Sequence, residues 1–302
     1  MSANQRLNGP SGALVAELLP IVQGHESRDP VLDSGLARPA AIALSIAGSD
    51  PSGGAGLQAD LKTFHQFGVY GMAVPTLLTV QSTTGIESST CLSPALVRAQ
   101  LDCIQGDIPP VAAKAGALGD PAIVSVVADW ARESDVPLVV DPVMASTHGD
   151  SLATDQTIDA LAEELLPRCF LVTPNLPEAA RLSGIAITDQ DDMRRAAESI
   201  GKRGARRVLV KGGHLDSDAI DLLWADGFVL TFPAERIQSR HTHGTGCVLS
   251  AAITAMLARD YTLFDAVEHA KRYVTEAIRT APGLGRGQGP LNLHAPTDSK
   301  AG

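Results

Sequence analysis

The chain has 302 residues, enough for one large α/β domain or two small ones. Its formal net charge of −10 argues against a nucleic-acid backbone as partner and is typical of a protein that binds small molecules. Aromatic residues make up only 4% of the chain, so we expect a core of close helix–sheet packing. Because the overall field repels anions, an anionic substrate would need a local pocket of N–H groups or lysines.

The cysteines indicate a reducing compartment. Cys91, Cys103, Cys169 and Cys247 show neither CxxC spacing nor a zinc-like cluster with histidine, so we read them as free thiols. No apolar run reaches the roughly 18 residues that a membrane span needs, and the start of the chain does not resemble a signal peptide. We therefore expect a cytoplasmic protein without a membrane partner.

Residues 1–39 look like an extension, because Asn, Gly, Ser, Asp and Pro surround one short apolar stretch. We expect this extension to be disordered or loosely packed, and residues 296–302 to form a flexible tail. From residue 40 to residue 295, strand and helix patterns alternate without a Pro- or Ser-rich linker, which predicts a single domain.

The predicted elements follow one another in that alternation. Strands are predicted near 41–47, 72–80, 112–115, 138–140, 170–172 and 208–210, with a hairpin over 219–224 and 227–232. Helices are predicted near 57–67, 94–106, 121–133, 155–166, 189–203 and 262–280, with another beginning after Gly246. This order predicts a mostly parallel sheet with helices on both faces.

Polar residues follow or end several of the predicted strands. They are Asp50, Gln81, Lys114, Asp141, Asn175, Glu178 and Lys211. Since ligands of such sheets bind beyond the carboxyl ends of the strands, we expect these side chains to share one site.

The segment Thr242–Cys247 (THGTGC) leads into an apolar helix. Backbone N–H groups of a first turn lack intrahelical acceptors and lie at the positive end of the helix dipole, so this segment predicts an anion site. Cys247 falls in that first turn, where we expect the pKa of its thiol to be lowered.

The charged residues expected at the carboxyl ends of the strands indicate phosphoryl transfer. Asp141 and Glu178 are oxygen ligands suited to Mg²⁺, while Lys211 and the amides of residues 244–247 suit phosphate oxygens. Two nucleotide-binding motifs are missing from the sequence: the P-loop G-x-x-x-x-G-K-[ST], and a G-x-G-x-x-G after the first strand. Any nucleotide must therefore be bound by another arrangement.

Five motifs, in this order, closely resemble hydroxymethylpyrimidine/phosphomethylpyrimidine kinases of thiamine biosynthesis, within the ribokinase-like superfamily. They are residues 47–62 (AGSDPSGGAGLQADLK), 141–144 (DPVM), 173–179 (TPNLPEA), 211–214 (KGGH) and 243–247 (HGTGC). The resemblance implies the three-layer ribokinase-like α/β fold, a homodimer, and use of ATP and Mg²⁺. It implies phosphorylation of 4-amino-5-hydroxymethyl-2-methylpyrimidine, and then of its monophosphate to the diphosphate.

The resemblance also implies residue roles. Gln81 would bind the aminopyrimidine, with Gly48, Asp50 and Ala117 around the ring. Lys211, Asn175 and Thr173 would contact ATP, and Asp141 and Glu178 would hold the metal. Gly244, Thr245, Gly246 and Cys247 would form the catalytic anion hole, where Cys247 occupies the position at which related sugar kinases carry an aspartate.

That cysteine suggests a hypothesis. A thiolate could accept the alcohol proton in the first step, whereas the phosphate nucleophile of the second step is already ionised and needs no base. An aspartate would repel that incoming phosphate, so a cysteine would let one pocket accept both substrates.

Three departures from the family pattern leave alternatives open. Ala117 stands where the family has Met, Ser82 where it has Asn, and the tail over 285–294 lacks the usual Gly–His pair. A roomier pocket at Ala117 suits pyridoxal or pyridoxine, so a vitamin B6 kinase on the same fold is the closest alternative. A non-catalytic pyrimidine-binding sensor is a further alternative, although a sensor would not need the metal pair and the anion loop together.

Overall fold

The computed structural model describes residues 41–146, 149–213 and 219–297, and these contain one nine-stranded sheet. The predicted extension 1–39, His214 and residues 298–302 lie outside the described residues, so the domain limits stay predictions. The strands are β1 Ile42–Ser49, β2 Tyr70–Ser82, β3 Gly85–Cys91, β4 Ala112–Ala115, β5 Leu138–Val140, β6 Leu171–Val172, β7 Arg207–Val210, β8 Asp221–Ala225 and β9 Phe228–Phe232.

Helices connect most of these strands. They are α1 Gly56–Gln66, α2 Pro94–Asp107, α3 Pro121–Ser134, α4 Asp155–Ala160, α5 Leu176–Ser183, α6 Gln190–Lys202, α7 Thr245–Ala258 and α8 Leu263–Arg279. After α4 the chain continues through a π-helical turn, Leu161–Leu165, and a 3₁₀ turn, Leu166–Arg168. No helix among the described residues combines the length and apolar character that crossing a membrane requires.

The sheet order is β3-β2-β1-β4-β5-β6-β7-β8-β9. Strands β2, β1, β4, β5, β6 and β7 pair in parallel, while β3, β8 and β9 join antiparallel at the two sides. The predicted mostly parallel α/β fold is therefore confirmed, and so is the hairpin of β8 and β9.

Two hydrophobic clusters, one on each face, make up the core. Helices α2 to α6 contribute to one cluster, and α1, α7 and α8 contribute to the other. Alternate residues of β1 serve both: Leu44 and Ile46 belong to the first cluster and Ala43 to the second. The continuous apolar run of β1 thus reflects burial on both faces, as parallel strands require.

Two elements were missing from the sequence-based prediction. Strand β3 is mostly exposed, and its residues lack apolar alternation; it forms by pairing with β2, where Gln81 lies opposite Ile86. Gln81 therefore lies inside β2 rather than after it. Helix α5 is a separate short helix between β6 and α6, stabilised at its start by its own side chains.

Candidate active site

A cleft of about 840 Å³ opens along the carboxyl ends of the parallel strands. Nearly all of the predicted site residues line it: Gly48, Asp50, Gln81, Ala117, Asp141, Asn175, Glu178, Lys211, Gly244, Thr245, Gly246 and Cys247. This volume is in the range of pockets that bind small organic ligands. The structure thus brings the residues predicted to bind the ring, the metal and the anion to one cavity.

Two predicted positions lie elsewhere. Thr173 is fully buried, its hydroxyl is 3.5 Å from the carbonyl oxygen of Val140, and it does not line the cleft. This placement does not support the predicted contact between Thr173 and ATP. Lys114 is also fully buried within β4, where it forms an ion pair of 2.5 Å with Asp60 instead of reaching the edge of the sheet.

The start of α7 is open towards the cleft. Its N-cap is Gly244, which has a φ of 81° and no side chain to accept a hydrogen bond. A Cβ at Gly244 would lie 1.9 Å from the carbonyl oxygen of Gly54, so only glycine fits. A Cβ at Gly246 would lie 3.1 Å from Lys211 Nζ and 3.4 Å from Asp141 Oδ2. The space in front of this turn is therefore kept clear beside a lysine and a carboxylate.

Among the α-helices in the described part of the chain, only two lack a side-chain cap, and both start at this cleft. Helices α1 and α7 start without a side-chain cap, at Ala55 and Gly244, and both residues line the cleft. The other α-helices have side-chain caps: Ser93, Asp120, Thr154, Asn175, Asp189 and Thr262. At α1 the backbone N–H groups of Ala55 and Gly56 donate to Asp50 and Cys247, so the open start of α7 is the better candidate for binding an anion through its amides.

Asp141 and Glu178 are the two acidic residues of the cleft that lie beside Lys211. Lys211 Nζ lies 2.9 Å from Asp141 Oδ1, and Glu178 Oε2 accepts a hydrogen bond of 2.8 Å from the backbone N–H of Asn175. Burial raises the pKa of Glu178 to about 7; Lys211 lowers it and Asp141 raises it further. Burial by itself lowers the pKa of Lys211, but Asp141 and Glu178 outweigh it and the pKa is raised.

The expected lowering of the Cys247 pKa is wrong. Cys247 keeps part of its surface open, yet the surrounding protein desolvates the thiol. That burial raises the pKa of Cys247 to about 11. Lys114 and the backbone N–H of Gly56 lower it, but Asp141 and Asp60 oppose them. A pKa raised in this way favours the neutral thiol at neutral pH, because burial and two carboxylates outweigh the two groups that lower it.

Sequence reasoning gave no role to His243 beyond its place in a motif. The structure buries it and places its Nε2 2.8 Å from Asp50 Oδ2 and 3.5 Å from Gln81 Nε2. Asp50 also accepts hydrogen bonds from the backbone N–H of Ala55 and the hydroxyl of Ser52. Asp50 therefore organises the loop after β1, and His243 links that loop to Gln81.

A second part of the cleft is more apolar. It is lined by residues that the sequence did not single out, among them Ile237, Leu249, Val274 and Ile278. A buried ion pair of 2.7 Å between Lys271 and Asp221 lies at its wall. These residues come from α7, α8, β8 and the segment after β9, and meet only through tertiary packing, so local sequence patterns could not identify them.

Comparison with known proteins shows the family. The family model described as "Phosphomethylpyrimidine kinase" matches residues 50–292. The chain belongs to this family. Hydroxymethylpyrimidine/phosphomethylpyrimidine kinase of Rhizobium meliloti is 48% identical over 256 residues, which cover 83% of this chain and 96% of that protein.

Solved structures of two related enzymes share the fold. Phosphomethylpyrimidine kinase of Clostridium difficile is 41% identical with a TM-score of 0.71, covering 78% of this chain and 99% of that one. Pyridoxal kinase of Staphylococcus aureus, solved with AMP-PCP and pyridoxal, is 35% identical with a TM-score of 0.78. The match covers 84% of this chain and 93% of that one. The chain is thus similar to kinases of both kinds, and its fold is the ribokinase-like one.

Proposed function

We propose that the protein is an ATP-dependent kinase that phosphorylates 4-amino-5-hydroxymethyl-2-methylpyrimidine and then converts the monophosphate to the diphosphate. One observation carries this proposal: Gln81, the open start of α7, and the group of Asp141, Glu178 and Lys211 all line a single cleft. A ring-binding amide, an anion site and a cation site in one cavity are the components of phosphoryl transfer to a small alcohol.

The α7 amides and Lys211 would position the phosphate groups of ATP. The amides of Gly246 and Cys247 lie in the uncapped first turn of α7, and Lys211 Nζ lies beside Gly246. Such donors stabilise the charge on the phosphoryl oxygens in the transition state without needing to reorganise. The apolar part of the cleft offers a surface for the adenine of ATP.

Asp141 and Glu178 fit a magnesium ion. Mg²⁺ keeps several waters and is usually held by one or two carboxylates together with substrate phosphates. Burial and the charge of Asp141 both raise the pKa of Glu178, so its ionised form is costly there, and a cation between the two carboxylates would stabilise it. When bound, the ion would supply charge neutralisation at the phosphates; Lys211 and the α7 amides orient the same phosphates from the protein side.

Cys247 acts in this proposal as a small neutral residue. Its raised pKa removes the thiolate base of the sequence-based hypothesis, and a loose transition state has little need of a strong base. The other half of that hypothesis becomes stronger, because a neutral thiol does not repel the phosphate of the monophosphate. One pocket can then serve both steps.

A pyridoxal or pyridoxine kinase is the second candidate. Ala117 lines the cleft with a small side chain, and the similarity to the pyridoxal kinase of Staphylococcus aureus is close. The pyrimidine assignment is better supported, because the matched family model and the Rhizobium meliloti relative both carry that name.

The deciding experiment measures coupled ADP release with the pyrimidine, with pyridoxal and with no second substrate. ³¹P spectroscopy then separates monophosphate from diphosphate products. We expect turnover with the pyrimidine and both phosphorylated products. Faster turnover of pyridoxal, or ADP release independent of either ring, would contradict the proposal.

A cytoplasmic location and a homodimer also stay proposals. The homodimer is supported by β3, an exposed strand at the edge of the sheet, and by exposed Leu78 and Val80 on β2. The outer edge of such a strand presents backbone N–H and C=O groups with which another chain can pair. Light scattering should give twice the chain mass of 31.4 kDa.

A further inference from the structure

The side-chain amide of Gln81 lies between two groups that each have a second, fixed partner. The structure places Gln81 Oε1 3.0 Å from Thr79 Oγ1 and Gln81 Nε2 3.5 Å from His243 Nε2. Thr79 Oγ1 is also 2.9 Å from the carbonyl oxygen of Ser49, and His243 Nε2 is 2.8 Å from Asp50 Oδ2. The oxygen and nitrogen of an amide have nearly the same shape, so these partners decide which end belongs where.

The hydrogen bonds of Thr79 determine which amide atom of Gln81 faces it. A backbone carbonyl oxygen can only accept, so the single hydroxyl hydrogen of Thr79 goes to Ser49. Thr79 Oγ1 can then only accept from Gln81. The amide end that faces Thr79 must therefore be the N–H end.

The hydrogen bonds of His243 determine which amide atom of Gln81 faces the imidazole, and they favour the same orientation of the amide. The carboxylate of Asp50 accepts hydrogen bonds from the backbone N–H groups of Ser52 and Ala55, at 2.8 and 2.9 Å. Burial raises the pKa of Asp50, but hydrogen bonds from His243 and Ser52 outweigh it and the pKa is lowered. An ionised Asp50 requires the hydrogen of His243 to be on Nε2, pointing at the carboxylate. An N–H of Gln81 on that side would face another donor, whereas the carbonyl oxygen of Gln81 suits it.

The partners of Thr79 and His243 are the carbonyl of Ser49 and the carboxylate of Asp50, and these two residues are adjacent at the end of β1. Gln58 of α1 donates from Nε2 to Ser49 Oγ at 2.8 Å and accepts from the backbone N–H of Asp50 at 2.9 Å. Ser49 and Asp50 are thereby fixed relative to each other. The hydrogen-bonding polarity that they impose through Thr79 and His243 is part of the fold.

We propose that Thr79 and His243 lock the Gln81 amide with Nε2 towards Thr79 and Oε1 towards His243, and that this polarity selects a 4-aminopyrimidine over its 4-oxo counterpart. This inference rests on the proposed function. Gln81 keeps one N–H and one oxygen lone pair for a substrate. A 4-aminopyrimidine offers a ring-nitrogen acceptor beside an amino donor, which pairs with them.

A 4-oxopyrimidine offers the reverse pattern, a ring N–H donor beside an oxygen acceptor. To pair with it in the same pose, Gln81 would have to turn its amide over. The turned amide would put its N–H against the N–H of His243, and its oxygen against a Thr79 oxygen whose hydrogen is already used. Thr79 and His243 are thus positioning residues that act through Gln81.

The test compares kcat/KM for 4-amino- and 4-oxo-5-hydroxymethyl-2-methylpyrimidine. The wild type should prefer the amino compound by about 100-fold, since a mismatched polar edge stays unpaired. Thr79→Val keeps the side-chain shape and removes the acceptor, so it should lower that preference about tenfold, mainly through a lower KM for the oxo compound. His243→Gln can still donate to Asp50 but offers either polarity to Gln81, and it should lower the preference similarly.

The control is Thr254→Val, which removes a buried hydroxyl that donates to the carbonyl oxygen of Ser250, away from Gln81. It should leave the preference unchanged. An unchanged preference in both folded variants, Thr79→Val and His243→Gln, overturns the inference, even if their overall activity falls. So does a wild type that uses both pyrimidines equally. A wild type that phosphorylates neither pyrimidine overturns the proposed function as well, which distinguishes the two failures.

Discussion

The helices α5 and α7 both begin in the cleft, and their first turns differ at two matched positions. The N-cap is Asn175 in α5 and Gly244 in α7, and the third helical residue is Glu178 in α5 and Cys247 in α7. In α5 these side chains form a capping box: Asn175 Oδ1 accepts from the N–H of Glu178, and Glu178 Oε2 accepts from the N–H of Asn175. In α7 neither position supplies an acceptor for the N-terminal amides.

This difference separates two roles at one edge of the sheet. The side chains of α5 satisfy amides at its own start, so this end holds Glu178 rigidly near Asp141 and has less capacity for an anion. The amides of α7 stay available for a ligand, with Lys211 beside them. The residues at the N-cap and at the third helical position thus decide whether a helix start is structural or binds a ligand.

The largest effect should come from filling the space before α7. Gly246→Ala places a methyl group 3.1 Å from Lys211 Nζ, where the phosphoryl group would lie, and alanine is a good helix former. We expect kcat to fall about 10²- to 10³-fold, the usual cost of spoiling an anion hole, with little change in melting temperature. Steady-state kinetics with 4-amino-5-hydroxymethyl-2-methylpyrimidine measure this kcat, and thermal unfolding measures the melting temperature.

The matched control is Gly106→Ala in α2, where a Cβ meets nothing within 4 Å. This variant should keep full activity. Activity of Gly246→Ala within threefold of the wild type would show that the transferred phosphate does not lie at α7.

The sequence predicted most of the fold because alternating apolar segments carry it. It failed where tertiary contacts decide: the polar residues of β3 form a strand only against β2, and Lys114 is drawn inside by Asp60. For the site, placement at the carboxyl ends of predicted strands indicated correctly that the polar residues other than Lys114 line one cleft. It could not predict the thiol of Cys247, whose pKa depends on burial and on carboxylates distant in sequence, nor the burial of Thr173.

A smaller effect is expected at the start of α5, where Glu178→Gln keeps the capping box and removes the charge. Below pH 4.5 this carboxyl is protonated in the folded and unfolded states. As pH rises towards 7, the unfolded chain loses the proton first, because burial raises the folded-state pKa to about 7. The wild type therefore loses stability over this window, on the order of 2 kcal/mol between pH 5 and pH 8.

Urea unfolding without magnesium at pH 5 and pH 8 measures that loss, which Glu178→Gln should abolish. Exposed Glu163→Gln is the control and should follow the wild type at both pH values. If Glu178→Gln loses as much stability as the wild type between these pH values, Glu178 is not a buried charge in the folded protein.

The smallest effect, and the most specific, should come from Cys247→Asp, which gives α7 an acidic third residue as in α5. The new carboxylate can accept the alcohol proton, so phosphorylation of the pyrimidine should change little. It repels the phosphate of the monophosphate, so the second phosphorylation should fall about tenfold more than the first. The neutral Cys247→Ser should affect both steps alike. ³¹P time courses that start from each substrate separate the two steps. An unimpaired second phosphorylation in Cys247→Asp would mean that the lack of charge at this position is not what lets one pocket accept both substrates.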